Sequence, residues 1–112
     1  MVFNHQRLKC YEYALDVTRM VPTLVKSWPK GTGYLVDQLK RAASSIVLNI
    51  AEGNYRQGAK DRARFFGIAR GSAGEVSSIL DIASAYGYIS IDTYNEIQEK
   101  LLVIVKMLYR LK

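Results

Sequence analysis

Near the end of the chain, Tyr94, Ile97, Leu101, Ile104, Leu108 and Leu111 recur at steps of three, four, three, four and three. Only an α-helix places residues so spaced on a single stripe, and a 3-4 stripe is the seam by which helices pack into bundles. The spacing predicts a helix over Asp92–Leu111. Ser90 or Asp92 can cap its start, and Arg110 and Lys112 suit the negative end of its dipole. Such a helix cannot stand alone: its seam must be covered by other helices.

Three further stripes supply the cover. Phe65, Ala69, Ser72, Val76, Ile79 and Ala83 mark a helix over about Lys60–Tyr86, with Gly87 placed to end it. Leu35, Leu39, Ala42, Ile46 and Ile50 mark one over Tyr34–Arg56. Leu8, Tyr11, Leu15 and Thr18 form the inner line of a first helix over Gln6–Ser27, in which Pro22 lacks a backbone donor and should kink or end the helix. "WPKGTG" (28–33) reads as a loop, and no segment alternates as a strand does. The expectation is an all-α, antiparallel up-and-down four-helix bundle occupying residues 1–112 as one domain. A composition that is 49% hydrophobic, with only two prolines, suits a packed core of long elements.

The stretch "GNYRQGAK" (53–60) superficially matches the phosphate loop G-x-x-x-x-G-K-[ST]. That loop needs a strand before it and a hydroxyl after its lysine. Here the preceding residues continue a helical stripe, Lys60 comes one position late, and Asp61 stands where the hydroxyl belongs. The stretch is therefore a helix–helix corner, with Gly58 letting the chain reverse.

Charge gathers around that corner. Lys and Arg outnumber Asp and Glu by 16 to 10, and Lys40, Arg41, Arg56, Lys60, Arg62, Arg64 and Arg70 face only Glu52 and Asp61 between residues 40 and 70. This is either a solvated helical surface or a docking surface for phosphates. On the second reading Lys40, Arg56, Lys60, Arg62 and Arg64 are the candidate phosphate contacts, with Tyr55 as a candidate for stacking on an unpaired base. Tyr11, Tyr94 and Tyr109 read as core or boundary residues.

Two helices carry a second unusual face. Opposite its core stripe the third helix has Ala63, Gly67, Gly71, Gly74 and Ser78, although each helical glycine costs on the order of 1 kcal/mol relative to alanine. The outer line of the second helix includes Arg41, Ser44, Leu48 and Ala51, with small and apolar residues where long polar ones belong. These nine residues are candidates for a homo-oligomer interface. Within it Asn49, Glu52, Arg70, Ser72 and Glu75, with Arg41, are candidates for a satisfied polar network, because unpaired buried charge is costly.

Catalysis finds little support. His5 is the sole histidine, so neither a Glu-x-x-His di-metal site nor a base for Ser72 can be assembled; His5 itself reads as a surface residue. No Cys–His cluster suits zinc, and Glu52 and Glu75 stand beside arginines that suit them to ion pairing. No cofactor, metal or small-molecule substrate is expected. The longest aliphatic run, "LLVIV" (101–105), is far short of the ~20 residues that span a bilayer. The basic amphipathic helix 99–112 is accounted for by burial rather than by a membrane surface. A lone Cys10, excluding an internal disulfide, fits a reducing cytoplasm.

The pair "QLKRAASSIVLNIAEG" (38–53) and "RFFGIARGSAGEV" (64–76), continued by "YGYI" (86–89), resembles the bacterial proteins encoded in intervening sequences of 23S rRNA genes. That family includes the accessory variability determinant of diversity-generating retroelements. The resemblance implies a four-helix protomer assembling as a ring-like homopentamer. In the retroelement branch it implies a basic surface that binds nucleic acid and a reverse transcriptase partner. It carries Asn49, Glu52, Gly53, Arg70, Gly71, Ser72 and Glu75 over as signature positions, structural rather than chemical, and supplies no catalytic residue. Pro22 and the glycine-rich "KGTG" depart from the family pattern. The resulting expectation is a non-catalytic, oligomeric RNA-binding protein, with a protein-interaction scaffold as the alternative.

Overall fold

The computed structural model describes residues 4–111; Lys112, read above as a dipole partner, lies outside them. Among the described residues are four α-helices and no strand: α1 Lys9–Val25, α2 Gly33–Tyr55, α3 Ala59–Ala85 and α4 Ile91–Arg110. Each helix runs back along its predecessor, and each packs on its two neighbours in the order α1, α2, α3, α4 and round to α1, with α2 on α3 the most extensive contact. The molecule measures 44 × 28 × 22 Å, its length set by the ~40 Å that 27 helical residues span.

The seam residues of α4 from Ile97 to Leu108 are buried, as is the whole α2 stripe from Leu35 to Ile50. Ser90 accepts a hydrogen bond from the Thr93 backbone amide at 3.2 Å, which selects it over Asp92 as the cap of α4. At the end of α3, Gly87 adopts φ +77. Its amide donates to Ser84 O at 3.0 Å and that of Tyr88 to Ala83 O at 2.8 Å, the paired closure of a Schellman motif that only glycine accommodates without strain.

Several finer expectations are corrected. The inner line of α1 is Cys10, Ala14, Val17 and Val21, whereas Leu8, Tyr11, Leu15 and Thr18 are half-buried. Both lines are largely apolar, and the smaller residues take the position nearest the neighbouring helices. On α3, Phe66 is the buried phenylalanine and Phe65 is half-buried. Phe66 fits because α2 presents Gly53 to it: a Cβ there would lie 2.6 Å from Phe66 Cε1.

The first helix begins at Lys9, after a 3-10 turn at Asn4–Arg7, since Leu8 is extended (φ −77, ψ 128). It passes through Pro22 and ends one turn later at Val25. The Gly58 backbone has φ −79 and ψ 136, an extended conformation open to any residue, so the reversal at the corner does not depend on glycine. Tyr109 is 67% exposed rather than a boundary residue, because Leu108 and Leu111 carry the seam and the intervening position points about 100° away.

Candidate nucleic-acid interface

At the corner the last carbonyls of α2 lack helical partners. Arg62 supplies them: its Nη1 donates to Asn54 O and to Arg56 O, each at 3.3 Å. Arg56, just past the end of α2, pairs with Glu52 at 2.8 Å and Asp61 at 3.5 Å. Arg64 donates twice to Asp61 Oδ1, at 3.1 and 3.0 Å. Phe65 lies beneath both guanidinium groups, 4.6 Å from that of Arg56 and 4.3 Å from that of Arg64. Asp61, in the first turn of α3, also complements that helix's positive end.

The charge at the corner is thus partly internally compensated. Its ion pairs join side chains that are 39–59% exposed, a class worth roughly 0–1 kcal/mol each, so a phosphate can exchange for a carboxylate at little cost. Arg62 is the exception, being part of the helix closure. Lys60 is exposed. Lys40 is not part of the group: it borders Pro22 and Ser44, about 24 Å along α2 from Arg56 at 1.5 Å per residue. The Tyr55 hydroxyl meets His5 Nδ1 at 2.7 Å, and the His5 ring packs edge-on against Tyr11 and Tyr55. His5 is consequently half-buried rather than a surface residue.

Alternating helix directions bring the start of α1, the end of α2, the start of α3 and the end of α4 to one pole. Six residues at each of these helix ends, with the corner between α2 and α3, contain Lys9, Arg56, Lys60, Arg62, Arg64, Lys106 and Arg110 against Glu12, Glu52 and Asp61, a net +4. The same windows and loops at the opposite pole contain Lys26 and Lys30 against Asp37, Asp81, Asp92 and Glu96, a net −2. The bundle is therefore polarised along its length, which single-segment charge counts did not reveal.

The outer faces of α2 and α3 are open. Leu48 is 66% exposed, and Arg41, Ser44, Ala63, Gly71, Gly74 and Ser78 are exposed, with Ala51 and Gly67 intermediate. A Cβ on Gly71 or Gly74 would meet nothing within 4 Å. Within the single chain the polar signature residues do not form one network. Asn49 donates to Ser45 O at 2.8 Å and Oγ at 3.0 Å, and Ser45 Oγ meets Ser72 Oγ at 2.7 Å, joining α2 to α3. Glu52 pairs instead with Arg56, Arg70 lies over the Tyr109 ring at 4.1 Å, and Glu75 is exposed.

The fold and the surface define a class: a small, basic, antiparallel four-helix-bundle protein with one positive pole. Residues 6–110 match the family described as 23S rRNA-intervening sequence protein, and the chain belongs to that family. No curated protein matches it. Among solved structures, a protein of unknown function from the S23 ribosomal protein family of Bacteroides thetaiotaomicron has a similar fold. It is 23% identical, with a TM-score of 0.80 over 90% of this chain and 92% of the other. Among the described residues no helix is long and apolar enough to cross a membrane.

Proposed function

We propose that this protein is a non-catalytic, cytoplasmic RNA-binding protein that engages phosphates of structured RNA or RNA–DNA through its positive pole. The observation that carries this reading is the concentration of positive charge at one end of the bundle, +4 against −2, since polyanion affinity follows the number of phosphates neutralised. Membership of a family described by 23S rRNA-intervening sequences is consistent with an RNA role. Lys60 and Arg64, with Lys9, Lys106 and Arg110, are the contacts to expect; Arg62 serves the fold.

The protein acts as a homo-oligomer built through the outer faces of α2 and α3. Gly71 and Gly74 have no reason within the protomer to be glycine, and close approach of another backbone supplies one. A five-membered ring is the closure that the family resemblance implies, and repetition of the pole around it turns weak contacts into avidity. In the retroelement branch a reverse transcriptase would be the protein partner. The same open face favours a second reading, a protein-interaction scaffold with no nucleic-acid role.

Salt separates the two readings. Anisotropy of a labelled structured RNA should show affinity falling steeply with salt, with a log–log slope that flattens by about 0.7–0.9 for each phosphate contact removed. The comparison is Lys60→Ala with Arg64→Ala, which leaves the Arg62 closure intact. Absence of binding at low salt, or an unchanged slope in the variant, overturns the proposal.

A further inference from the structure

We infer that Tyr109, backed by Arg70, is a stacking platform for an unpaired nucleobase, so that the positive pole favours single-stranded over fully paired nucleic acid. The inference rests on the phosphate-binding reading and specifies its substrate. Three observations on the aromatic residues near this end of the bundle select Tyr109. Phe65 is half-buried and already lies against two guanidinium groups, those of Arg56 and Arg64. The Tyr55 hydroxyl and ring are both engaged by His5. Tyr109 alone among these three combines a guanidinium at 4.1 Å from its ring centroid with 67% exposure.

The chemistry of that pairing points to a nucleotide. A guanidinium packed against an aromatic ring can still donate from its N–H groups to an oxygen acid. Tyr109 is 67% exposed, so much of its surface stays open to solvent. A ligand that satisfies both groups carries a flat π face and an anionic oxygen a few ångströms apart, as an unpaired nucleotide does. Arg110, next in sequence, adds a further cation at the helix end. A continuous duplex keeps its base faces stacked on one another, so it would use the pole through its phosphates without stacking on Tyr109.

The experiment compares a labelled oligouridine with a blunt RNA duplex of equal phosphate number, using the full chain and its Tyr109→Leu and Tyr109→Phe variants. Leucine preserves apolar bulk and removes the π face; phenylalanine preserves the π face. Tyr109→Leu should weaken oligouridine binding by about 5- to 150-fold, the range for loss of one stacked base, and leave duplex binding within about twofold, while Tyr109→Phe should resemble the parent. Equal losses on both ligands, or no loss on oligouridine, overturn the inference and leave the phosphate reading standing. A Tyr109→Leu change in oligomeric state assigns the ring to an interface between copies and likewise overturns it. Binding of neither ligand by the parent protein overturns both.

Discussion

Exchanging single glycines for alanine separates those the fold needs from those it does not. In Gly53→Ala the new methyl would lie 2.6 Å from Phe66 Cε1, 2.8 Å from its Cδ1 and 3.2 Å from Phe65 Cβ. Phe66 is 1% exposed in the core and has no free direction in which to withdraw. Overpacking of a closed core costs about 1–3 kcal/mol, against about 1 kcal/mol gained from alanine's helix propensity. The expected net runs from near zero to a loss of about 2 kcal/mol. Gly71→Ala and Gly74→Ala meet no steric opposition within the protomer and should each stabilise it by about 0.5–1 kcal/mol through propensity alone. Urea denaturation at matched protein concentration reads the three differences, and light scattering on the same samples reads assembly. If the outer face packs on another copy, Gly71→Ala and Gly74→Ala will stabilise the protomer while weakening the oligomer. A Gly53→Ala variant as stable as Gly71→Ala would refute the close approach of α2 and α3 at Phe66.

Further outcomes follow from single groups. Gly58→Ser should raise stability by about 0.5 kcal/mol, because the backbone there is extended and a hydroxyl can cap α3; a thermal midpoint that falls would contradict the geometry. The Tyr94 phenol donates to Asp81 at 2.6 Å, and this hydrogen bond, with lesser contributions from desolvation and the Asp81 charge, raises its pKa above the usual value near 10. The folded state therefore holds this proton longer than the unfolded chain, so the contribution to stability is present below pH ~10 and is lost as pH climbs through the raised value. Ultraviolet titration should show one phenol moving to lower pH in Asp81→Asn. Burial pushes the Cys10 thiol upward, and at 2% exposure it should react with a disulfide reagent only on unfolding; rapid labelling of the native protein would contradict this.

The 3-4 spacing made the helices legible in advance to within about three residues at each end, because burial of one stripe is a property of the sequence by itself. It could not choose between two adjacent apolar lines. Cys10–Ala14–Val17–Val21 and Leu8–Tyr11–Leu15 lie about 100° apart around the helix, as do Phe65 and Phe66, so the decision falls to what the neighbouring helix presents. Gly53 is what admits Phe66, a complementarity between residues 13 apart that no single-helix periodicity contains. The candidate interface was legible as composition and not as geometry. Counting charge from Lys40 to Arg70 included a lysine four turns away, overlooked the capping duty of Arg62, and missed Lys9, Lys106 and Arg110, which chain reversal brings to the same pole. Alternation of helix direction, already expected, was the signal that would have found them.

The lengthwise separation of charge acquires a different meaning once copies stand side by side. If the proposed ring closes with its axis along the helices, every positive pole faces the same way, giving a disc with one cationic and one anionic side. Like poles brought together repel one another, so such a disc is under electrostatic tension that a polyanion laid across its cationic side relieves. Ligand and assembly then reinforce each other reciprocally: RNA would tighten the ring, and the ring would present RNA to one side only, leaving the other side free for whatever the assembly must meet next.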